Sequence, residues 1–292
     1  MHLDDKAADR QSDGQSAPQV FGIDFTSAPR PRKPITVAVG ELRAGRLKLL
    51  GLETLASFAA FEALLARPGP WVGGFDFPFG LPRELLEHLR WPCQPAAGEG
   101  AWARMVRHLE AMPRAQMVAA FRGWCDARPA GAKFAHRATD RLAGSSPSMK
   151  WVNPPVAFML QAGAPRLLAA GVSVPGVHSG DPGRVALEAY PGVLARSVLG
   201  RASYKSDTRA GRTPERAQAR HRLLDALQAG ALLGLAVELP DALAAVCAED
   251  PSGDLLDAVL CAVQAAWACA RSDSNYGLPP YIDPVEGWIA GV

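Results

Sequence analysis

Four acidic positions stand inside apolar stretches of the sequence, and residues of this type can support metal or acid–base chemistry. They are Asp24 in VFGIDF, Asp76 in GGFDFPFG, Glu188 in VALEAYP and Asp257 in DLLDAVLCAV, with Asp254 one helical turn before Asp257. A buried carboxylate is unfavourable unless a cation or hydrogen-bond donors compensate its charge. If the fold gathers these residues, their charges repel one another unless a cation lies between them. Because Mg²⁺ and Mn²⁺ bind through oxygen ligands, the set indicates a divalent-cation site.

Three of these residues also have a structural explanation. Asp24 and Asp76 could each cap the turn that follows a strand, which is a common role for aspartate. Glu188 could be the buried partner of an arginine such as Arg137 or Arg212. No single position is specific, so the inference depends on their joint placement.

The pair Asp254 and Asp257 has its own alternative. Their spacing is that of a helix N-cap and the third residue of the same helix, where carboxylates also interact favourably with the helix dipole. From the sequence, metal binding and helix capping both stay open as roles for these two residues.

Predicted strands must bring the acidic residues together. The pattern of apolar residues predicts strands at 20–25, 35–39, 46–50, 71–75 and 184–190, and a helix at 52–66. Asp24 and Asp76 stand at the ends of the first and fourth strands. Sites in sheets with parallel strands collect at the carboxyl edge, so we expect these side chains to lie close together.

Residues 83–182 depart from this pattern and read as helices separated by Pro, Gly and Ser. Helical patches are predicted at 83–89, 101–112, 115–127 and 156–170, and further helices at 214–233, 239–248 and from 254 to about 270. We interpret 83–182 as a helical insertion after the fourth strand, because a strand pattern resumes at residue 184. The sequence thus predicts a flexible tail at 1–18 and one α/β domain at 19–292.

Composition limits the class of protein. The formal net charge is only +2 over 292 residues, and this value does not by itself indicate a nucleic-acid partner. Five cysteines without a CxxC pair favour a reducing compartment. No signal-peptide segment is evident, and no stretch approaches the roughly 20 apolar residues of a membrane helix. We therefore expect a cytoplasmic protein without membrane contact, and the sequence leaves its oligomeric state open.

A basic stretch at 201–222 precedes the last predicted helix. It carries seven lysines and arginines against Asp207 and Glu215. If it folds over the carboxylate edge, Lys205, Arg209 and Arg212 could bind a phosphate of the substrate, arginine with bidentate geometry. The alternative is a solvated entry to a helix.

Several stretches resemble the DUF429 family of predicted ribonuclease H-like nucleases. They are GIDF at 22–25, FDFPFGLP at 75–82, EAYP at 188–191, YKSDTRAGR at 204–212 and DLLDAVLCAVQAAWA at 254–268. The resemblance implies a ribonuclease H-like mixed sheet of five or slightly more strands, flanked by helices. It also implies that Asp24, Asp76 and Asp257, with Asp254, are ligands of Mg²⁺ or Mn²⁺. Glu188, on the presumed fifth strand, is a further catalytic candidate.

Three functions fit these observations. The favoured one is a metal-dependent phosphodiester hydrolase, a nuclease that acts on nucleic acid or another phosphoester through activated water. A phosphoryl transferase of the actin or sugar-kinase type shares the core fold but normally duplicates it. The third is a non-catalytic protein that binds nucleic acid or nucleotides. Convergence of Asp24, Asp76 and Asp257 would favour the hydrolase, whereas dispersed acids paired with arginines would favour the binding protein.

Overall fold

The computed structural model describes residues 17–292. Its strands are β1 (Gln19–Asp24), β2 (Ile35–Arg43), β3 (Arg46–Leu55), β4 (Trp71–Asp76), β5 (Val172–Ser173), β6 (Asp181–Glu188) and β7 (Ala236–Glu238). The tail predicted at 1–18 lies outside the described residues except for Ala17 and Pro18.

The described strands form one seven-stranded sheet in the order β5-β6-β4-β1-β2-β3-β7. β1 pairs antiparallel with β2, and β2 with β3, whereas β4, β6 and β5 continue from β1 in parallel. This mixed sheet flanked by helices is compatible with the predicted ribonuclease H-like fold. The short strands β5 and β7, one at each edge, extend the predicted five.

Helices cover both faces of the sheet. They are α1 (Phe58–Leu65), α2 (Arg83–Leu89), α3 (Ala101–Ala111), α4 (Arg114–Asp126), α5 (Ala138–Ala143), α6 (Val156–Ala170), α7 (Pro191–Leu199), α8 (Pro214–Gln228), α9 (Asp241–Glu249) and α10 (Asp254–Cys269). Within residues 17–292, none of them is long and apolar enough to cross a membrane.

Side chains of β1 alternate between the two faces, as the pleat of a strand requires. Phe21 and Ile23 join a core with α1, α3, α4 and α6, whereas Val20 joins a second core with α7, α8 and α10. Asp24 follows Val20 at an even spacing and therefore lies on the α10 face. The sheet thus separates an aromatic core from the side that carries the acidic residues.

The predicted helix at 52–66 is wrong at its start. Residues 52–55 belong to β3, where Leu52 pairs with Ala38 and Leu55 with Ile35. The helix begins only at Phe58, because the Ser57 hydroxyl accepts a hydrogen bond from the Ala60 amide (3.2 Å) and caps its N-terminus. The apolar residues at 52–55 fit a helical period, but in the structure they extend β3 and pair with β2.

The end of the chain packs against the carboxyl end of β6. The Ala290 amide donates to the Glu188 carbonyl (2.9 Å), and the Gln264 side chain donates to the Ala290 carbonyl (2.7 Å). The Leu81 amide donates to the Val285 carbonyl (3.0 Å). These bonds hold the turn after β4, the end of β6 and α10 together around one edge of the sheet.

Candidate metal centre

The ends of β1 and β4 place two carboxylates side by side. The strands are parallel neighbours, and Asp24 is the register partner of Asp76. Each aspartate follows a glycine by two residues, in Gly22-Ile23-Asp24 and Gly74-Phe75-Asp76. Gly22 and Gly74 are themselves register partners on the same face of the sheet.

These two glycines let α10 approach the sheet closely. A Cβ atom on Gly22 would lie 2.0 Å from the Ala258 carbonyl oxygen and 2.1 Å from the Ala262 nitrogen. One on Gly74 would lie 2.5 Å from the Cys261 carbonyl oxygen. The helix backbone therefore occupies the space that side chains would fill, and its first turn reaches the strand ends.

Asp257, in that first turn, completes a cluster of three carboxylates. One oxygen from each of Asp24, Asp76 and Asp257 lies within 4.8 Å of the others. Asp257 is fully buried, whereas Asp24 and Asp76 are half-buried and face the strand ends. Three acids from distant parts of the sequence thus share one small volume.

The three acids differ in the hydrogen bonds that they accept from the protein. Among the described residues, the donors to this cluster all bind Asp257: the Tyr204 hydroxyl donates to one oxygen and the Lys205 ammonium to the other. In the same part of the chain, the carboxylates of Asp24 and Asp76 accept no hydrogen bond. The turn caps considered for these two residues are therefore absent from residues 17–292.

Burial and mutual repulsion raise the pKa of each acid. Burial, followed by the charge of Asp257, raises the pKa of Asp24 well above its ordinary value and that of Asp76 to about 7. Burial also raises the pKa of Asp257, against the opposing charge of Lys205. Burial alone would lower the pKa of Lys205, but the surrounding carboxylates outweigh it and raise that pKa. One ammonium therefore leaves the three acids incompletely compensated.

This donor set fits a hard divalent cation. The cluster offers carboxylate oxygens from three separate elements and contains no histidine or cysteine ligand. Oxygen-only sets of this kind suit hard cations such as Mg²⁺ or Mn²⁺ and not the softer metals that use thiolate or imidazole. A cation at this point would also relieve the repulsion that raises the three pKa values.

Asp254, the fourth candidate ligand, lies outside the three-carboxylate cluster. It accepts a hydrogen bond from the Lys33 ammonium (2.9 Å), and its carbonyl accepts one from the buried Thr36 hydroxyl (2.8 Å). The N-cap position belongs to Gly253, which has a positive φ of 76°. Asp254 therefore ties the start of α10 to β2, and it does not occupy the N-cap position considered as its alternative role.

Glu188 also stands apart from the cluster, in a buried ion-pair network. Its oxygens accept hydrogen bonds from both terminal nitrogens of Arg137 (2.6 and 2.7 Å) and from the Phe79 amide (2.9 Å). Arg137 also pairs with buried Asp140 (2.7 Å). Of the two interpretations for Glu188, the structure thus matches the one with Arg137 as a buried partner. Both oxygens of Glu188 accept hydrogen bonds from the protein, so its carboxylate is not free for a catalytic role.

The basic stretch at 201–222 divides into anchors and free side chains. Buried Arg220 donates to the carbonyls of Tyr204 (2.9 Å) and Ala248 (2.7 Å), which fixes Tyr204 and Lys205 beside α10. Arg209 and Arg212 are exposed and form no ion pair within residues 17–292. Lys205 alone of the three predicted phosphate ligands therefore touches the cluster.

Sequence reasoning missed Tyr204, Lys33 and the two glycines at 22 and 74. The repeated Gly-x-Asp pattern at 22–24 and 74–76 was a usable signal, because a glycine in a strand often marks a close backbone approach. Tyr204 begins the family-like stretch at 204–212, but no local pattern indicates its contact with Asp257, which lies 53 residues away.

Comparison with known proteins gives a family for this chain. The sequence pattern of one family, described as "Protein of unknown function (DUF429)", matches residues 22–280. Neither the curated proteins nor the solved structures gave a significant match. The matched stretch runs from Gly22, two residues before Asp24, past the end of α10 and so includes all three clustered acids. By this match over most of its length, the chain belongs to the DUF429 family.

Proposed function

We propose that the protein is a metal-dependent phosphodiester hydrolase, in the nuclease class. The observation that carries this proposal is the convergence of Asp24, Asp76 and Asp257 within 4.8 Å, where Asp24 and Asp76 accept no hydrogen bond from residues 17–292. A divalent cation bound there would supply Lewis acidity and charge for the attack of water on a phosphoester.

The chain's own residues have distinct roles in this proposal. Asp24 and Asp76 bind the cation, Mg²⁺ or Mn²⁺, because their oxygens have no competing donor among the described residues. Asp257 is oriented by Tyr204 and Lys205, which fix the positions of both its oxygens. Outer hydrogen bonds of this kind hold metal ligands in place and raise metal affinity.

Basic residues supply the proposed phosphate contacts. Lys205 carries its ammonium group at the edge of the cluster and is partly exposed there. Arg209 and Arg212, on the same segment, are exposed and available to a phosphate of the substrate. The partner is accordingly a nucleic acid or another phosphoester, and we propose a single functional domain over 19–292.

The two alternative functions lack a specific observation in their favour. A kinase of the actin type would be supported by a duplicated core, and the described residues form a single sheet. A non-catalytic protein would be supported by acids dispersed among arginines. That arrangement holds for Glu188 but not for the three clustered acids.

The first test is hydrolysis of bis(p-nitrophenyl) phosphate in Mn²⁺, beside calorimetric titration of the same cation. We expect the parent protein to bind Mn²⁺ and to hydrolyse the ester, and EDTA to abolish the activity. The Asp24→Asn and Asp76→Asn variants should lose at least about 100-fold in rate, since each removes a charged ligand of the cation.

The matched control is Asp207→Asn, an exposed acid on the same basic segment, which should keep both binding and activity. Full activity of the parent in EDTA, or of Asp24→Asn in Mn²⁺, would refute the proposal. An absence of Mn²⁺ binding at millimolar concentration would count against it equally.

A further inference from the structure

Two clefts meet at Asp76. One has a volume of about 300 Å³ and lies toward α6, and the other has a volume of about 370 Å³ and lies toward α7. Asp76, Tyr190 and Lys205 stand in the walls of both. A molecule bound at the carboxylate cluster can therefore extend in two directions.

The cleft toward α6, called here the apolar cleft, is lined largely by hydrocarbon. Its apolar wall includes Phe77, Pro78, Val156, Met159, Ala189 and Ile289. Four charged residues also reach this cleft: Asp76 and Lys205, which it shares with the second cleft, and Arg137 and Glu188, which pair with each other through two hydrogen bonds. Away from Asp76 and Lys205, the cleft therefore suits a group with substantial apolar area that carries no net charge.

A few polar groups offer specificity inside the apolar cleft. The Ser145 hydroxyl donates to Asp140 (3.0 Å), whereas the neighbouring Ser146 hydroxyl, also in the wall, has no hydrogen-bond partner among residues 17–292. A mainly apolar cavity with a few such groups is typical of a small-molecule subsite, and its volume is at the lower end of the usual range.

The cleft toward α7, called here the basic cleft, has the opposite character. Arg196, Arg201 and Lys205 stand in its wall, and among its lining residues, all of them in the described part of the chain, Asp76 is the single acid. Positive charge concentrated in a groove favours anionic ligands such as phosphate.

Tyr190 stands at the boundary of the two clefts. Its hydroxyl accepts a hydrogen bond from Arg196 (3.2 Å), and that guanidinium lies 5.2 Å from the ring centroid. An aromatic ring beside an arginine is a combination that binds unstacked bases and the adjoining phosphates.

We infer that the apolar cleft is a nucleoside subsite, in which one unstacked base of the substrate lies while the adjoining phosphates follow the basic cleft. This inference rests on the proposed function and narrows its substrate to single-stranded nucleic acid or a nucleotide ester. A base enclosed in a cleft of this size cannot stay paired and stacked in a duplex, so a strand that is already unpaired is the favoured substrate.

The test separates base recognition from phosphate recognition. Binding of adenosine and thymidine 5′-monophosphates to the Mn²⁺-loaded protein is compared with binding of ribose 5-phosphate, which lacks the base. We expect at least one nucleotide to bind at least about tenfold more tightly than ribose 5-phosphate, because base stacking adds to the phosphate contact.

Variants that fill the apolar cleft complete the test. Val156→Trp and Ser146→Trp should each weaken nucleotide binding about tenfold or more and leave the binding of Mn²⁺ and ribose 5-phosphate unchanged. The matched control is Val152→Trp, at an exposed valine outside the cleft, which should change none of the three. Two filling variants guard against the misfolding of one, and circular dichroism checks both.

The outcomes distinguish this inference from the proposed function. Equal binding of nucleotides and ribose 5-phosphate, or no effect of either filling variant on nucleotide binding, overturns the subsite. If bis(p-nitrophenyl) phosphate is still hydrolysed in that case, the proposed function stands without it. If nucleotides bind through the base but no ester is hydrolysed, the subsite stands and the hydrolase does not.

Discussion

At the scale of single residues, Asp76 and Glu188 show what separates a reactive carboxylate from a structural one. Both are acids at the ends of adjacent parallel strands. Glu188 receives three hydrogen bonds from Arg137 and the Phe79 amide, whereas Asp76 receives none within residues 17–292. The sequence could mark both as candidates but could not assign their roles, because Arg137 is 51 positions from Glu188.

The pKa of Asp76 predicts how the stability of the metal-free protein depends on pH. Burial, then the charge of Asp257, raises this pKa from 3.8 to about 7, so the folded state holds a proton that the unfolded chain has already lost. The protonated Asp76 contributes its full stabilisation when the pH is below its pKa in the unfolded chain. That contribution is lost as the pH rises through its pKa in the folded protein. From about pH 6 to about pH 8, the free energy of unfolding should fall by about 1 kcal/mol.

Urea denaturation in EDTA at both pH values measures this change. The Asp76→Asn variant cannot lose a proton at this position and should show a smaller fall over the same range. If the parent becomes more stable as the pH rises, Asp76 is already ionised at the lower pH and the prediction is wrong.

The buried Arg137 network predicts a second effect. The Arg137 side chain is 1% exposed and forms ion pairs with both Glu188 and Asp140. Arg137→Met would leave two buried carboxylates without a cation, which costs about 3–5 kcal/mol of unfolding free energy. The same substitution at exposed Arg209 should cost no more than about 0.5 kcal/mol. Equal losses in the two variants, measured by chemical denaturation, would show that the network contributes little.

At the scale of elements, the distance between α10 and the sheet determines whether the site exists. Gly22 and Gly74 set that distance, and Thr36 and Lys33 hold the start of the helix. The sequence predicted the principal strands and the last helix, because their apolar patterns are long. It missed β5 and β7, which have two and three residues, because such short edge strands depend on pairing with a neighbour and not on a pattern.

Gly22→Ala tests the close approach of the helix. The added Cβ would lie 2.0 Å from the Ala258 carbonyl oxygen, so α10 must move away from β1. We expect a loss of at least about 2 kcal/mol in unfolding free energy. Since Asp257 moves with the helix, affinity for Mn²⁺ should fall about 10- to 100-fold, by analogy with the loss of an outer hydrogen bond of a metal ligand.

Gly51→Ala is the matched control for this variant. Gly51 also lies in a strand, but a Cβ atom there meets no atom within 4 Å. It should therefore leave the affinity for Mn²⁺ unchanged in calorimetric titration. Parent-like metal binding by Gly22→Ala would mean that the helix position does not control the cluster.

At the scale of the whole molecule, the site joins parts of the chain that are far apart in sequence. Positions 24, 76 and 257 meet only when β1, β4 and α10 have assembled. The acidic residues themselves could be predicted from their apolar surroundings. Their contacts with Tyr204 and Lys205 could not, because these depend on how the segment before α8 crosses the helix, which no local pattern encodes.

This long-range assembly predicts that a divalent cation stabilises the entire fold. A ligand that binds only the folded state at about 100 times its Kd adds about 2.7 kcal/mol to the free energy of unfolding. For a domain of this size, that corresponds to a rise in Tm of about 5 °C, measurable by calorimetry in Mn²⁺ against EDTA. The rise should be smaller at about pH 6 than at about pH 8, because a proton on Asp76 competes with the cation. Asp24→Asn should show no rise, since it lacks one of the two free carboxylates. An equal rise in that variant would place the bound cation elsewhere on the molecule, and the three acids would then have to be explained by folding alone.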